Sequence, residues 1–118
     1  MSHVHHATQS TFPSEVLQSP VPVLVDFYAD WCGPCRMLAP TLERLAAEFG
    51  NRARIVKVNI DEEPELADRY QVQAVPTLAF LDHGRLLAKT SGLVPEASLR
   101  QALHQLTEPS RGPQKQAG

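Results

Sequence analysis

Cys32 and Cys35 are the only two cysteines of the chain and stand three positions apart, in the run Trp31-Cys32-Gly33-Pro34-Cys35. At the start of a helix, this spacing leaves one sulfur partly exposed while the helical turn draws the other beneath it. The helix N-terminus favours negative charge and hence the thiolate of Cys32. A thiolate can attack a disulfide, and a second cysteine can resolve the mixed disulfide by closing the ring. Gly33 and Pro34 leave little side-chain bulk over the sulfur. Half of a zinc site and a pair of inert buried thiols are the competing readings. Zinc normally takes four ligands, and no second C-x-x-C or C-x-x-H is present. Inert structural thiols have no reason to flank Gly-Pro at a helix start.

A second chemical signal is Asp26, set inside the apolar run Val23-Leu24-Val25-Asp26-Phe27-Tyr28. Burial disfavours the charged carboxylate and makes such a group a proton carrier near neutral pH. The plain alternative is a strand-end carboxylate satisfied by solvent or a backbone N–H, although strand interiors deplete Asp. Lys57 is likewise alone in an apolar strand, either paired with an acid or reaching outward along its stem. His3, His5 and His6 could hold a transition metal. At a chain terminus they read as a solvated segment, so no metal is expected. His83 and His104 read as surface residues.

The elements that must position these groups follow from hydrophobic period. Val4 suggests a weak edge strand, and Phe12, Val16 and Leu17 an amphipathic turn with Ser14 as its N-cap. The run from Val23 to Tyr28 reads as a central strand covered on both faces. Leu38, Leu42, Leu45 and Phe49 then form one helix face, closed by Gly50-Asn51. Pro34 suits that helix's first turn, and Pro40 lies inside it and should kink it. A strand follows from Arg54 to Ile60. Asp61 would cap a short acidic helix from Pro64 to Tyr70. Strands Thr77–Leu81 and Leu86–Thr90 are joined by Asp82-His83-Gly84-Arg85, a hairpin signal. A last helix starts at Pro95 with Leu99, Leu103 and Leu106 on one stripe. Alternating strands and helices imply parallel pairing with right-handed crossovers, the hairpin adding antiparallel strands. The site is then expected beyond the strands' carboxyl ends, where Cys32 falls.

Composition bounds the alternatives. With 118 residues, 42% hydrophobic and 20% charged, the chain is one globular domain rather than a disordered segment. Eleven Lys and Arg against thirteen Asp and Glu give a net charge of -2, with no basic stripe for nucleic acid. No apolar stretch is long enough to span a membrane, and the N-terminal residues show no secretory pattern. These points lead to the expectation of an intracellular protein. Two cysteines are too few for a disulfide framework.

The run Trp31-Cys32-Gly33-Pro34-Cys35 closely resembles the thioredoxin family, which the rule for C-x-x-C beside a βαβ pattern also indicates. Val23-Leu-Val-Asp-Phe27, Met37, Pro40, Asp61, Val75-Pro76-Thr77, Gly84 and Gly92 fit the family's pattern at its usual spacing. The match runs from about Thr8 to Leu106. It implies an α/β thioredoxin fold, a central mixed sheet of four to five strands flanked by about four helices. Residues 8–106 would be that domain, after a flexible His-containing N-terminus or weak edge strand (1–7) and before a disordered tail (107–118).

The resemblance also implies roles. Cys32 attacks, Cys35 resolves, and Asp26 moves the proton of the resolving thiol, with Lys57 as its ion-pair partner on the neighbouring strand. Trp31, Gly33, Pro34, Lys57 and Pro76 support the site. A cis Pro76 faces the cysteines and exposes the backbone of Val75 to an extended client segment. Trp31, Gly33, Pro34, Val75, Pro76, Gly92 and Leu93 form the docking rim. Three positions depart from the pattern: Tyr28 replaces a common tryptophan, Arg36 a frequent lysine, and Leu93 a smaller residue.

The function implied is a protein-disulfide reductase, a thiol–disulfide oxidoreductase and electron carrier of cell redox homeostasis. It would bind no cofactor beyond the redox-active Cys32–Cys35 disulfide. A thioredoxin reductase would recycle it, using NADPH indirectly. Its partners would be disulfide-containing clients, with no nucleic acid and no membrane, and the protein would be a cytoplasmic monomer. A scaffold with dispensable cysteines, or an oxidising or isomerising relative outside the cytoplasm, are the alternatives.

Overall fold

A computed structural model describes residues 3–108. Five strands form one mixed sheet: β1 (His5–His6), β2 (Val23–Tyr28), β3 (Arg54–Asn59), β4 (Thr77–Asp82) and β5 (Arg85–Ser91), in spatial order β1-β3-β2-β4-β5. β2 and β3 run parallel, as do β1 and β3, whereas β4 is antiparallel to both β2 and β5. Three α-helices accompany the sheet: α1 (Gly33–Phe49), α2 (Pro64–Arg69) and α3 (Glu96–Thr107). A five-residue π-helix, Pro13–Leu17, and a short 3-10 turn, Gly50–Arg52, complete the helical parts. This is the α/β architecture that the alternating pattern implies.

Alternation along β2 divides the core in two. Leu24 points to the side covered by α1 and α3, where it joins Leu38, Leu42, Leu45, Leu99 and Leu103. Val23, Val25 and Phe27 point to the other side, against Phe12, Val16 and Leu66. A strand buried on both faces must be apolar at every position, which explains the near-continuous run and makes Asp26 conspicuous. By the same alternation Asp26 and Tyr28 share the α1 side with Leu24.

Three local expectations need correction. Ser14 is not the cap of the first helical turn; it lies inside the π-helix and donates from its hydroxyl to the Thr11 carbonyl. The turn is initiated by Thr8 and Thr11, each side-chain oxygen accepting from the other's backbone N–H. Asp61 does not cap α2, whose N-cap position is Glu63 with no side-chain cap. Asn59 Oδ1 instead takes the N–H groups of Asp61 and Glu62, which frees the Asp61 carboxylate for another contact. Helix α3 begins at Glu96, with Pro95 at its cap. Pro40 is carried within α1. Most of the expected C-terminal tail, from residue 109, lies outside the described residues.

The hairpin between β4 and β5 turns through His83 and Gly84, both at positive φ (52° and 81°), the mirror-image turn that the strand twist favours. Gly84 has a further constraint, because a Cβ there would approach the Leu17 carbonyl oxygen to 3.1 Å.

Candidate active site

Helix α1 starts where β2 ends, and Cys32 occupies its N-cap. The extended backbone of Cys32 turns its sulfur back over the first helical turn, where Sγ accepts the N–H of Cys35 at 3.2 Å. Gly33 and Pro34 are the first two helical residues. Neither needs an intrahelical N–H partner there, and Pro34 has none to offer. Cys32 and Cys35 are joined as a disulfide with a Cα–Cα separation of 5.3 Å. The pair is set at the positive end of a seventeen-residue helix, an environment that stabilises a thiolate once the bond opens.

The closed disulfide is more buried than the sequence suggests. Cys32 retains 4% of its exposure and Cys35 2%. The S–S bond holds Cys32 against the helix, and Ala29, Ile60, Tyr28 and Val75 pack around the pair. Exposure belongs instead to the neighbours: Trp31 is 66% exposed and Leu93 50%. The indole nitrogen of Trp31 donates to Asp61 Oδ2 at 2.9 Å, so the only tryptophan is tethered although it faces solvent.

The Val75–Pro76 peptide bond is cis, as the resemblance implies. Pro76 itself is buried and Val75 half-buried. Gly92 donates its N–H to the Pro76 carbonyl at 2.8 Å, which brings the segment after β5 alongside this turn. Leu93 then meets Met37 across a shallow groove of about 340 Å³ that also includes Thr41 and Pro95. Met37 is 69% exposed. It lies off the Leu38-Leu42-Leu45 stripe, so helical period places it outward, but nothing in the sequence ties it to Leu93.

Asp26 is fully buried, and both its carboxylate oxygens lack a hydrogen-bond partner. Burial pushes the carboxyl up to about 7, against a smaller lowering by the Lys57 ammonium. Asp26 and Lys57 are in register across β2 and β3. The ammonium nevertheless lies 4.2 Å from the centre of the Tyr28 ring, so its close contact is aromatic rather than ionic. Tyr28, Lys57, Cys35, Arg36 and Ala39 surround a small cavity of about 150 Å³ beside the buried sulfur. The Arg36 guanidinium is turned to the Asp30 carbonyl at 2.7 Å.

The structure thus gathers Cys32, Cys35 and Val75 in one cluster, with Trp31 and Pro76 adjoining it along the chain and Gly92, followed by Leu93, bonded to the Pro76 carbonyl. Asp26 and Lys57 lie beneath, on the sheet. A larger cavity of about 610 Å³, lined by His3, His5 and Arg54, is at the opposite end of α1 and shares no residue with the cysteines. No group of three or more potential ligands is arranged to hold a metal among the described residues. Among those same residues no helix is long and apolar enough to cross a membrane.

Comparison with known proteins agrees with this geometry. The family model described as Thioredoxin matches residues 3–105. Thioredoxin 1 of Nostoc sp. is 46% identical over 103 residues, covering 87% of this chain and 96% of that protein. Thioredoxin of Haemophilus influenzae is 39% identical over 105 residues, covering 89% and 98% respectively. The chloroplastic M-type thioredoxin of Spinacia oleracea is 35% identical over 109 residues, covering 92% of this chain and 60% of its own.

Proposed function

The chain belongs to the thioredoxin family and is a thiol–disulfide oxidoreductase, and from that premise we propose that it reduces protein disulfides as a general reductant. The observation that carries the reading is the Cys32–Cys35 disulfide at the N-terminus of α1, with the Cys35 N–H aimed at Cys32 Sγ. In the dithiol form the Cys32 thiolate attacks one sulfur of a client disulfide. A new S–S bond forms to Cys32, the client bond breaks, and its second sulfur leaves as a thiolate that takes a proton. Asp26 accepts the proton of the Cys35 thiol. The Cys35 sulfur then attacks Cys32, closing the ring and releasing the second client thiol. Two electrons have passed to the client, and an external reductase must return two to the chain.

Trp31, Gly33, Pro34, Val75, Pro76, Gly92 and Leu93 serve as the docking rim in this proposal. Val75 offers backbone groups to an extended client segment, a recognition that asks little of side chains. Lys57 and Pro76 hold the site's interior. Gly33 and Pro34 between the cysteines favour the reducing direction over an oxidase or isomerase. The reading places the protein in the cytoplasm as a monomer, independent of nucleic acid and membrane, with residues 8–106 as the working domain. It assigns a thioredoxin reductase fed by NADPH as the electron source, and disulfide-containing proteins as clients.

Insulin reduction coupled to NADPH oxidation through a thioredoxin reductase tests this. The wild-type protein should turn over catalytically and Cys35→Ser should not. Absence of wild-type turnover with several reductases would refute the general-reductant reading. An equilibrium redox titration separates an oxidant, whose dithiol form is unusually stabilised.

A further inference from the structure

Lys57 has two possible partners on the α1 side of the sheet. One is the Asp26 carboxyl, directly in register on β2. The other is the ring of Tyr28, two residues further along the same strand and on the same face. An unpaired buried carboxylate beside a cation would ordinarily draw that cation into a salt bridge. Here the ammonium is over the ring at 4.2 Å, and both Asp26 oxygens stay without a hydrogen-bond partner.

We propose that Tyr28 is a positioning residue for the dithiol chemistry: its ring face retains the Lys57 ammonium and so keeps the cation from closing onto Asp26. A phenol ring binds a partly desolvated ammonium without neutralising it. Lys57 then acts on Asp26 only through its field, and the carboxylate, once ionised, keeps the high proton affinity that an acceptor of the Cys35 proton needs. Were the ring absent, the ammonium would be free to reach the carboxylate and hold it ionised, making Asp26 a weaker acceptor for the Cys35 proton. The inference rests on the proton-accepting role proposed above for Asp26.

Other charged groups around the cluster leave this pair decisive. Burial raises the proton affinity of the Tyr28 hydroxyl, the Asn59 side chain lowers it, and Asp30, Glu62 and Asp26 raise it further. Arg36 on α1 borders the small cavity but is bound to the Asp30 carbonyl. His6 on β1 stands in register with Lys57 and meets the Tyr28 ring edge-on, with centroids 6.4 Å apart. Among the described residues, Lys57 is the cation whose field lowers the Asp26 carboxyl.

The test is a carbon-13 NMR titration of the Asp26 carboxyl in the oxidised protein, which needs neither client nor reductase. Failure of the general-reductant reading therefore leaves the measurement intact. Tyr28→Leu should move the Asp26 midpoint down by about one pH unit or more, and Tyr28→Phe should leave it in place. Water entering beside a smaller side chain would also lower the midpoint, so the pair is repeated with Lys57→Met. In that background Tyr28→Leu should produce no downward shift. Should Tyr28→Leu not fold, replacing Tyr28 by pentafluorophenylalanine keeps the ring's shape, reverses its electrostatics and should give the same downward shift. An unmoved or raised midpoint, a Tyr28→Phe shift equal to that of Tyr28→Leu, or a drop that persists without Lys57 would each overturn the proposal.

Discussion

The indole N–H of Trp31 is bound to the carboxylate of Asp61, 30 residues further along the chain, at 2.9 Å. The bond crosses from the residue before Cys32 to the loop after β3. It is possible because Asn59 Oδ1 takes the N–H groups of Asp61 and Glu62 and leaves the Asp61 side chain for Trp31. In the docking rim proposed above, an exposed aromatic would gain from such a tether, because less rotamer freedom is lost when a client binds.

Asp61→Ala should therefore loosen Trp31 more than it destabilises the fold. Trp31 is the only tryptophan, so its emission is unambiguous. Its fluorescence anisotropy should fall and its indole proton should exchange faster. The cost in unfolding free energy should be about 1 kcal/mol or less, as for a solvent-exposed hydrogen bond. Unchanged anisotropy would show that the tether does not restrain the ring.

Asp26 should make stability fall as pH rises. Its carboxyl holds a proton up to about 7 in the folded state, against 3.8 as the ordinary value. Below pH 3.8 both folded and unfolded chains are protonated, and the group contributes nothing. Between that pH and about 7 the unfolded chain releases a proton that the folded chain keeps, so unfolding becomes easier. Above about 7 the full penalty persists, roughly 4 kcal/mol for about three pH units. Asp26→Asn should raise the urea midpoint at about pH 8 and have little effect near about pH 4. An equal effect at both pH values would contradict this assignment.

Leu93 should matter to clients and hardly to the fold. Half of its surface is already solvent-exposed, so Leu93→Ala should change stability by no more than about 0.5 kcal/mol. Covering it with a client is worth about 1 kcal/mol, so the KM for insulin should rise about fivefold with kcat held. A drop in kcat alone would place Leu93 outside docking.

Gly84 joins the hairpin turn to the π-helix, and alanine there is doubly disfavoured. The residue's φ is 81°, and a Cβ would stand 3.1 Å from the Leu17 carbonyl oxygen. Gly84→Ala should cost about 1–2 kcal/mol in denaturant unfolding, while insulin reduction by the folded fraction stays unchanged. Full wild-type stability would mean that the turn relaxes freely.

Much of this was legible in the residue order. The apolar run around Asp26, the Leu stripe of α1 and the Asp82-His83-Gly84-Arg85 turn each carry a local signal, and each forms as that signal implies. The site's location follows from the same logic, since a strand end and a helix start meet at Cys32. What local period could not show are contacts between distant segments. Asp61 looks like a cap because it precedes a helix, yet its partner is Trp31. Lys57 looks like the partner of Asp26 by register, yet a ring on the same face holds its ammonium. Ser14 has a good N-cap side chain, but the Thr8–Thr11 pair starts the turn earlier. Met37 fits the family's pattern in sequence, but its place across a groove from Leu93 comes only with the fold.

The central claim, that Cys32 attacks and Cys35 resolves, is tested most directly by mass spectrometry of single-cysteine variants incubated with a disulfide client. Cys35→Ser should accumulate a covalent adduct through Cys32, released by dithiothreitol, and Cys32→Ser should give almost none. Equal adduct through Cys35 in the Cys32→Ser protein, or no adduct in either variant, would contradict the account.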